Sequence, residues 1–184
     1  ASDVYKRQVR ENAWTGCDKK KINKVMEFCE GYRQFISSCK TERECAARSI
    51  ELAKEHGYKD LNEIIKKGGT LKAGDKVYAC NMGKALVLFN VGREPLENGM
   101  KILGAHIDSP RLDVKQNPLY QDEELVLLDT HYYGGIKKYQ WTAIPLELRG
   151  VVCVCENGEV KRVQVRVGDK PTDPKFVITD LLPH

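Results

Sequence analysis

The sequence predicts an α/β protein in which helices and a mixed sheet come first and a β-rich module follows. Three observations lead there. Apolar residues recur at three- and four-residue spacing between Lys19 and Ser38, the stretch from Lys76 to Val91 reads as two strands about a turn, and short strand patterns separated by turn signals run from Leu125 to Val167. With 184 residues and 41% hydrophobic content the chain can bury a real core.

Taken in order, Ile22, Val25, Met26, Cys29, Tyr32 and Ile36 form one stripe of an amphipathic helix from about Lys19 to Ser38. Thr41-Glu-Arg-Glu44 is a capping box: the threonine hydroxyl and the glutamate carboxylate take orphan N–H groups and start a second helix, expected to reach His56 and stop at Gly57. Asp60-Leu-Asn-Glu63 repeats the acidic cap ahead of a short helix through Lys67. Strands follow at Lys76–Cys80 and Lys84–Val91 about the turn Asn81-Met82-Gly83, then a loop from Gly92 to Gly99. Met100 to Ile107 is almost continuously apolar or small, which predicts an interior strand covered on both faces by helices. Beyond Lys115, strands are expected at Leu125–Leu128, Leu146–Glu156 and Val160–Val167, with turns at Tyr133-Gly134-Gly135 and Asn157-Gly158, and a last strand-like piece at Lys175–Thr179.

Composition narrows the function. A net charge of +4, from 30 basic and 26 acidic residues, is too weak for a nucleic-acid footprint without a clustered basic face, and the one basic run, Lys19–Lys21, opens a helix. Seven cysteines without a CxxC pair point to reduced thiols and a cytoplasmic protein. Cys153 and Cys155 share one face of a strand and read as packed small hydrophobes rather than zinc ligands. No apolar run is long enough for a membrane span or a signal core, so neither membrane nor nucleic acid is expected as a partner.

The chain begins ASDVYKRQ, without methionine and without periodicity. One back-translation, GCG TCA GAT GTG TAT AAG AGA CAG, matches the end of a transposon-type sequencing adapter, so residues 1–8 are expected to be translated library DNA, with the native reading starting near Val9. The far end, Ile178 to His184, has no tail composition and reads as an interrupted chain.

The chemistry concentrates in GAHIDSPRLD, Gly104 to Asp113. On a strand, His106 and Asp108 would face the same side. A metal-binding histidine is neutral, with one nitrogen on the metal and the other N–H given to an acceptor, and a carboxylate two residues on is well placed to take that proton. On spacing alone, a metal ligand and a structural histidine both stand. Ser109 lacks the glycine-flanked turn of a hydrolase nucleophile.

Longer blocks extend the pattern: Lys115-Gln-Asn-Pro-Leu-Tyr120, LLDTHYYGGIKKYQWTAIPLELRGVV from Leu127 to Val152, and the terminal ITDLLPH. Together with GAHIDSPRLD the chain from about Asn12 resembles the bacterial branch of the aspartyl aminopeptidase family of zinc metallopeptidases. The resemblance implies an α/β catalytic domain with two zinc ions, interrupted after the HxD strand by an inserted β-rich dimerisation domain. Residues 9–115 would then be the N-terminal part of the catalytic domain and 116–184 part of the insertion. It also implies hydrolysis of N-terminal residues from peptides, and homo-oligomers in which dimers assemble into a dodecamer. Carried over by position, His106 matches the first metal ligand and Asp108 the aspartate that supports the site. The remaining ligands and the glutamate general base fall beyond the insertion, so the chain by itself is expected to bind zinc poorly and not to cleave peptides.

In another branch of that family a histidine from the loop equivalent to Tyr133–Trp141 reaches the neighbouring active site; here Tyr139 stands at that position, and Tyr139 and Trp141 can equally be interface packing. His131 reads as structural, His56 as a helix-end residue suited to the dipole, and Lys137-Lys138 as an exposed turn. The rival functional class is a non-catalytic oligomerisation or binding module in which His106 is merely structural.

Overall fold

The computed structural model describes residues 11–179 and 181, so the adapter-like residues 1–8 and His184 lie outside the described residues. The chain divides into two units, Ala1–Ser38 and Cys39–His184.

The first unit holds α1 (Lys19–Ser38), with the bounds its periodicity predicts. Asp18 starts it by accepting the Lys21 N–H at 2.7 Å. No residue of the helix is buried, so its apolar stripe, including Met26 and Tyr32, faces solvent. Arg33 and Gln34 both donate to Glu30 and hold its carboxyl down at about 2.

The second unit is built around α2 (Glu42–Glu55), which packs on β2 (Lys76–Asn81) and β3 (Ala85–Asn90). The capping box forms as its sequence requires: Glu44 N–H donates to the Thr41 hydroxyl while the Glu44 carboxylate takes the Thr41 N–H. Gly57, at φ +83°, ends the helix. Asp60 caps α3 (Leu61–Lys66) through the Asn62 N–H at 2.8 Å. A two-residue β1 (Lys59–Asp60) pairs parallel with β2, and β2 pairs antiparallel with β3, giving the order β1-β2-β3. Val77 and Tyr78 on β2 and Ala46 and Ala53 on α2 make the small core.

Two antiparallel hairpins complete the unit: β4 (Arg111–Asp122) with β5 (Leu125–Tyr133), and β6 (Leu148–Glu156) with β7 (Glu159–Val167). β4 runs on through residues 115 and 116, where its ladder is irregular between Val114 and Leu119. Pro118, which has no N–H to donate, sits in that stretch. A one-turn helix, α4 (Lys138–Trp141), separates the hairpins.

The first turn of α2 ties both hairpins down. Glu42 pairs with Arg111 of β4 at 2.9 Å, and Glu44 takes Arg149 of β6 and Arg166 of β7, each at 2.9 Å. Anionic side chains suit a helix N-terminus, and here each also receives an arginine from a distant strand.

Three expectations are corrected. Met100–Ile107 forms no strand: it runs as irregular chain with Ile102 exposed and Leu103 fully open to solvent, because none of the described strands pairs with it. An apolar run signals a preference for burial, but a strand needs a ladder partner. Lys175–Thr179 is likewise not a strand: its backbone meets the chain at the single bridge Phe176–Leu146, too short for a ladder. Cys153 and Cys155 do share a face of β6, but both are exposed rather than packed.

Candidate metal centre

His106 and Asp108 lie in the irregular segment just before β4, so the shared face of a strand is not what brings them together. A tight local turn of the side chains does so instead. His106 Nδ1 is 3.1 Å from Asp108 Oδ1 and 2.9 Å from the Asp108 carbonyl oxygen. Both neighbours are acceptors, so Nδ1 carries a proton and donates to them. The ring is 83% exposed, which is not the setting of a packed structural histidine. With Nδ1 engaged by Asp108, Nε2 is the ring nitrogen that could hold a metal, and a carboxylate behind the other nitrogen is the usual support of a metal-bound histidine.

Asp108 is held in turn. Its second oxygen, Oδ2, accepts the Tyr133 hydroxyl at 2.9 Å, and that bond, with the nearby His106, keeps the Asp108 carboxyl below its ordinary range. The same contact pushes the Tyr133 phenol up. The Arg111 guanidinium stacks 4.0 Å from the Tyr133 ring centroid while pairing with Glu42 at 2.9 Å and Asp113 at 2.7 Å. The site is thus a chain of contacts from α2 through Arg111 and Tyr133 to Asp108 and His106. Tyr133 and Arg111 were not singled out from sequence. The available signal was the strand-pair register, which sets Arg111 directly opposite Tyr133 at the end of the β4–β5 ladder.

The other positions named from sequence stay apart from this centre. His56 donates from Nδ1 to the Leu52 carbonyl at 2.8 Å at its own helix end, and His131 donates from Nδ1 to the Tyr132 carbonyl at 2.9 Å. Tyr139 lies exposed on α4, and the Lys138 ammonium sits 4.8 Å from the Tyr132 ring. Among the described residues no group of three or more His, Cys, Asp and Glu side chains could hold a metal ion, so His106 and Asp108 stand there as a pair. No helix among them is long and apolar enough to cross a membrane.

Residues 35–184 match the family model described as aminopeptidase I zinc metalloprotease, M18. The chain belongs to the M18 family. An M18 family aminopeptidase 1 of Clostridium acetobutylicum is 53% identical over 174 residues, which cover 95% of this chain and 37% of that relative. The crystal structure of aminopeptidase I from Borrelia burgdorferi B31 is 41% identical with a TM-score of 0.83, over 94% of this chain and 41% of that one. A mApe1 dodecamer of S. cerevisiae is 20% identical with a TM-score of 0.68, over 80% of this chain and 35% of its own, a likeness of fold alone. The M18 chain described here therefore spans little more than a third of the length of the curated relative. Its α/β architecture is that of M18 aminopeptidase structures, and the family description names a zinc metalloprotease.

Proposed function

We propose that this chain is part of a zinc aminopeptidase that removes N-terminal residues from peptides, with His106 as a metal ligand and Asp108 as the carboxylate behind it. The observation that carries the reading is the donor arrangement at His106: Nδ1–H is given to Asp108 while Nε2 is left open, in a chain matched by a zinc metalloprotease family. Bound zinc would supply Lewis-acid polarisation of the scissile carbonyl and an activated water. What this chain contributes is positional. Asp108 fixes the tautomer and the orientation of His106, and the negative charge it keeps in the neutral range strengthens the ring as a donor.

The reading takes two zinc ions per complete site, with the other ligands and the general base supplied outside the described residues. Residues 9–115 would belong to the catalytic part and 116–184 to a β-rich part that joins subunits. Exposed apolar side chains on the hairpins, among them Leu119, Val126 and Val160, and the dodecameric fold relative support a homo-oligomer assembled from dimers. Seven free cysteines suit a cytoplasmic site of action.

The test is made on the protein encoded by the uninterrupted reading frame, by metal analysis and hydrolysis of aminoacyl anilides. His106→Ala is expected to lose one zinc per subunit and the activity with it, and Asp108→Asn to weaken zinc about 10- to 100-fold. Full zinc content and undiminished hydrolysis in His106→Ala would refute the assignment.

A further inference from the structure

We infer that Tyr133 is a positioning residue of this centre, whose hydroxyl sets the Asp108 carboxylate and, through it, the tautomer and aim of the His106 ring. The inference rests on the reading of His106 as a ligand and extends it to a residue on the neighbouring hairpin.

The geometry is specific. The two oxygens of Asp108 divide their work, Oδ1 toward His106 Nδ1 at 3.1 Å and Oδ2 toward the Tyr133 hydroxyl at 2.9 Å. A carboxylate bonded at one oxygen can swing about its Cβ–Cγ bond; one bonded at both is fixed in plane. Asp108 is only partly shielded, so without the phenol its Oδ2 would be taken by mobile water, which restores the hydrogen bond but not the direction.

The Tyr133 ring is placed by its strand partner, by a stacked arginine and by the turn that follows it. Tyr133 ends the β5 ladder opposite Arg111, whose guanidinium lies on the ring at 4.0 Å. Arg111 is in turn paired with Glu42 of α2 and Asp113 of β4. Immediately after Tyr133 the chain turns at Gly134, φ +74°, where an added Cβ would lie 3.5 Å from Pro110 Cα. That close passage folds the end of β5 back toward the Asp108–Pro110 segment. Tyr132 is engaged differently, with the Lys138 ammonium 4.8 Å from its ring, so it serves as the internal control.

The experiment reads the His106 ring in the metal-free 184-residue chain, by long-range nitrogen–proton NMR correlation at about pH 8, where imidazole is neutral. In the unmodified chain Nδ1–H is expected to dominate. Tyr133→Phe should lower the ratio of Nδ1–H to Nε2–H about threefold; the effect is limited because the Asp108 carbonyl still accepts from Nδ1. Arg111→Lys, which keeps the charge but loses the planar stack, should move the ratio the same way. Tyr132→Phe should leave it unchanged. Far-UV circular dichroism matching the unmodified chain establishes that each variant keeps its fold. Unchanged ratios in both Tyr133→Phe and Arg111→Lys, with Asp108→Asn shifting it, would overturn the inference while leaving the His106–Asp108 reading in place. No shift in Asp108→Asn would overturn both.

Discussion

Replacing Glu44 by alanine removes the group on which α2, β6 and β7 converge. The carboxylate is 8% exposed; Oε2 accepts the backbone N–H groups of Lys40 at 2.8 Å and Thr41 at 3.2 Å, and Oε1 accepts Arg149 and Arg166. Loss of the capping half should cost about 1 kcal/mol, the usual value for an N-cap. Stripping one partner from a buried ion pair costs about 3–5 kcal/mol when the other charge is left alone. Arg149, 9% exposed, is not left alone, because Glu147 at 2.8 Å and Asp169 still hold it, so roughly 2 kcal/mol is the better figure for this half. Arg166 is 44% exposed and adds little after solvent screening. The sum is about 3 kcal/mol, which at a urea slope of about 2 kcal/mol per molar moves the midpoint down by about 1.5 M. The assay is urea unfolding followed by far-UV circular dichroism on the unmodified chain, Glu44→Ala and Glu44→Gln. The glutamine variant keeps one acceptor oxygen and should lose about half as much. A Glu44→Ala midpoint within about 0.3 M of the unmodified chain would mean that the arginines are solvated in both states, and the reasoning would fail. So would strict additivity of Glu44→Ala with Arg149→Met, since contacting partners must couple.

Acid should weaken the same network. Burial raises the Glu44 carboxyl, but the Lys40 N–H and the two arginines outweigh it, so its folded pKa lies below 4.5. A depressed carboxyl stabilises the fold above its unfolded pKa, and the contribution disappears as pH falls through the folded value. The urea midpoint should therefore drop below pH 4.5 in the unmodified chain, and drop less steeply in Glu44→Gln; parallel profiles would contradict the assignment. Two glycines separate backbone strain from collision. Gly57 and Gly168 both have positive φ, but an added Cβ meets nothing at Gly57 and lies 3.1 Å from Glu147 Cα at Gly168. Alanine should cost about 1 kcal/mol at Gly57 and about 2 kcal/mol or more at Gly168. Equal thermal shifts for the two variants would argue against a backbone contact at Gly168.

The parts legible in sequence were those whose physics is local. The ends of α1, α2 and α3 follow from apolar spacing, a hydroxyl and a carboxylate three residues apart, and a glycine that alone tolerates the stop. The β2–β3 and β6–β7 pairs follow from alternation about short turns. Where a reading needed a partner far along the chain, it went astray or fell short. Met100–Ile107 has the composition of an interior strand and no strand to pair with among the described residues. β4 was not read as a strand from the sequence; its ladder carries Asn117-Pro118 as an irregularity between Val114 and Leu119.

For the candidate centre, the sequence by itself determined that His106 and Asp108 are close, because two residues of chain cannot place them apart. It also determined that Glu44 would cap α2, a contact confined to one helical turn. Only the tertiary structure decided that Tyr133 reaches Asp108 across 25 residues, that Arg111 stacks on Tyr133 while pairing with Glu42, and that the capping Glu44 receives Arg149 from 105 residues away. Hydrogen bonds and ion pairs at 2.7–2.9 Å depend on strand register and on how the hairpins are anchored to α2, and one residue of slip would turn each of these side chains to the opposite face.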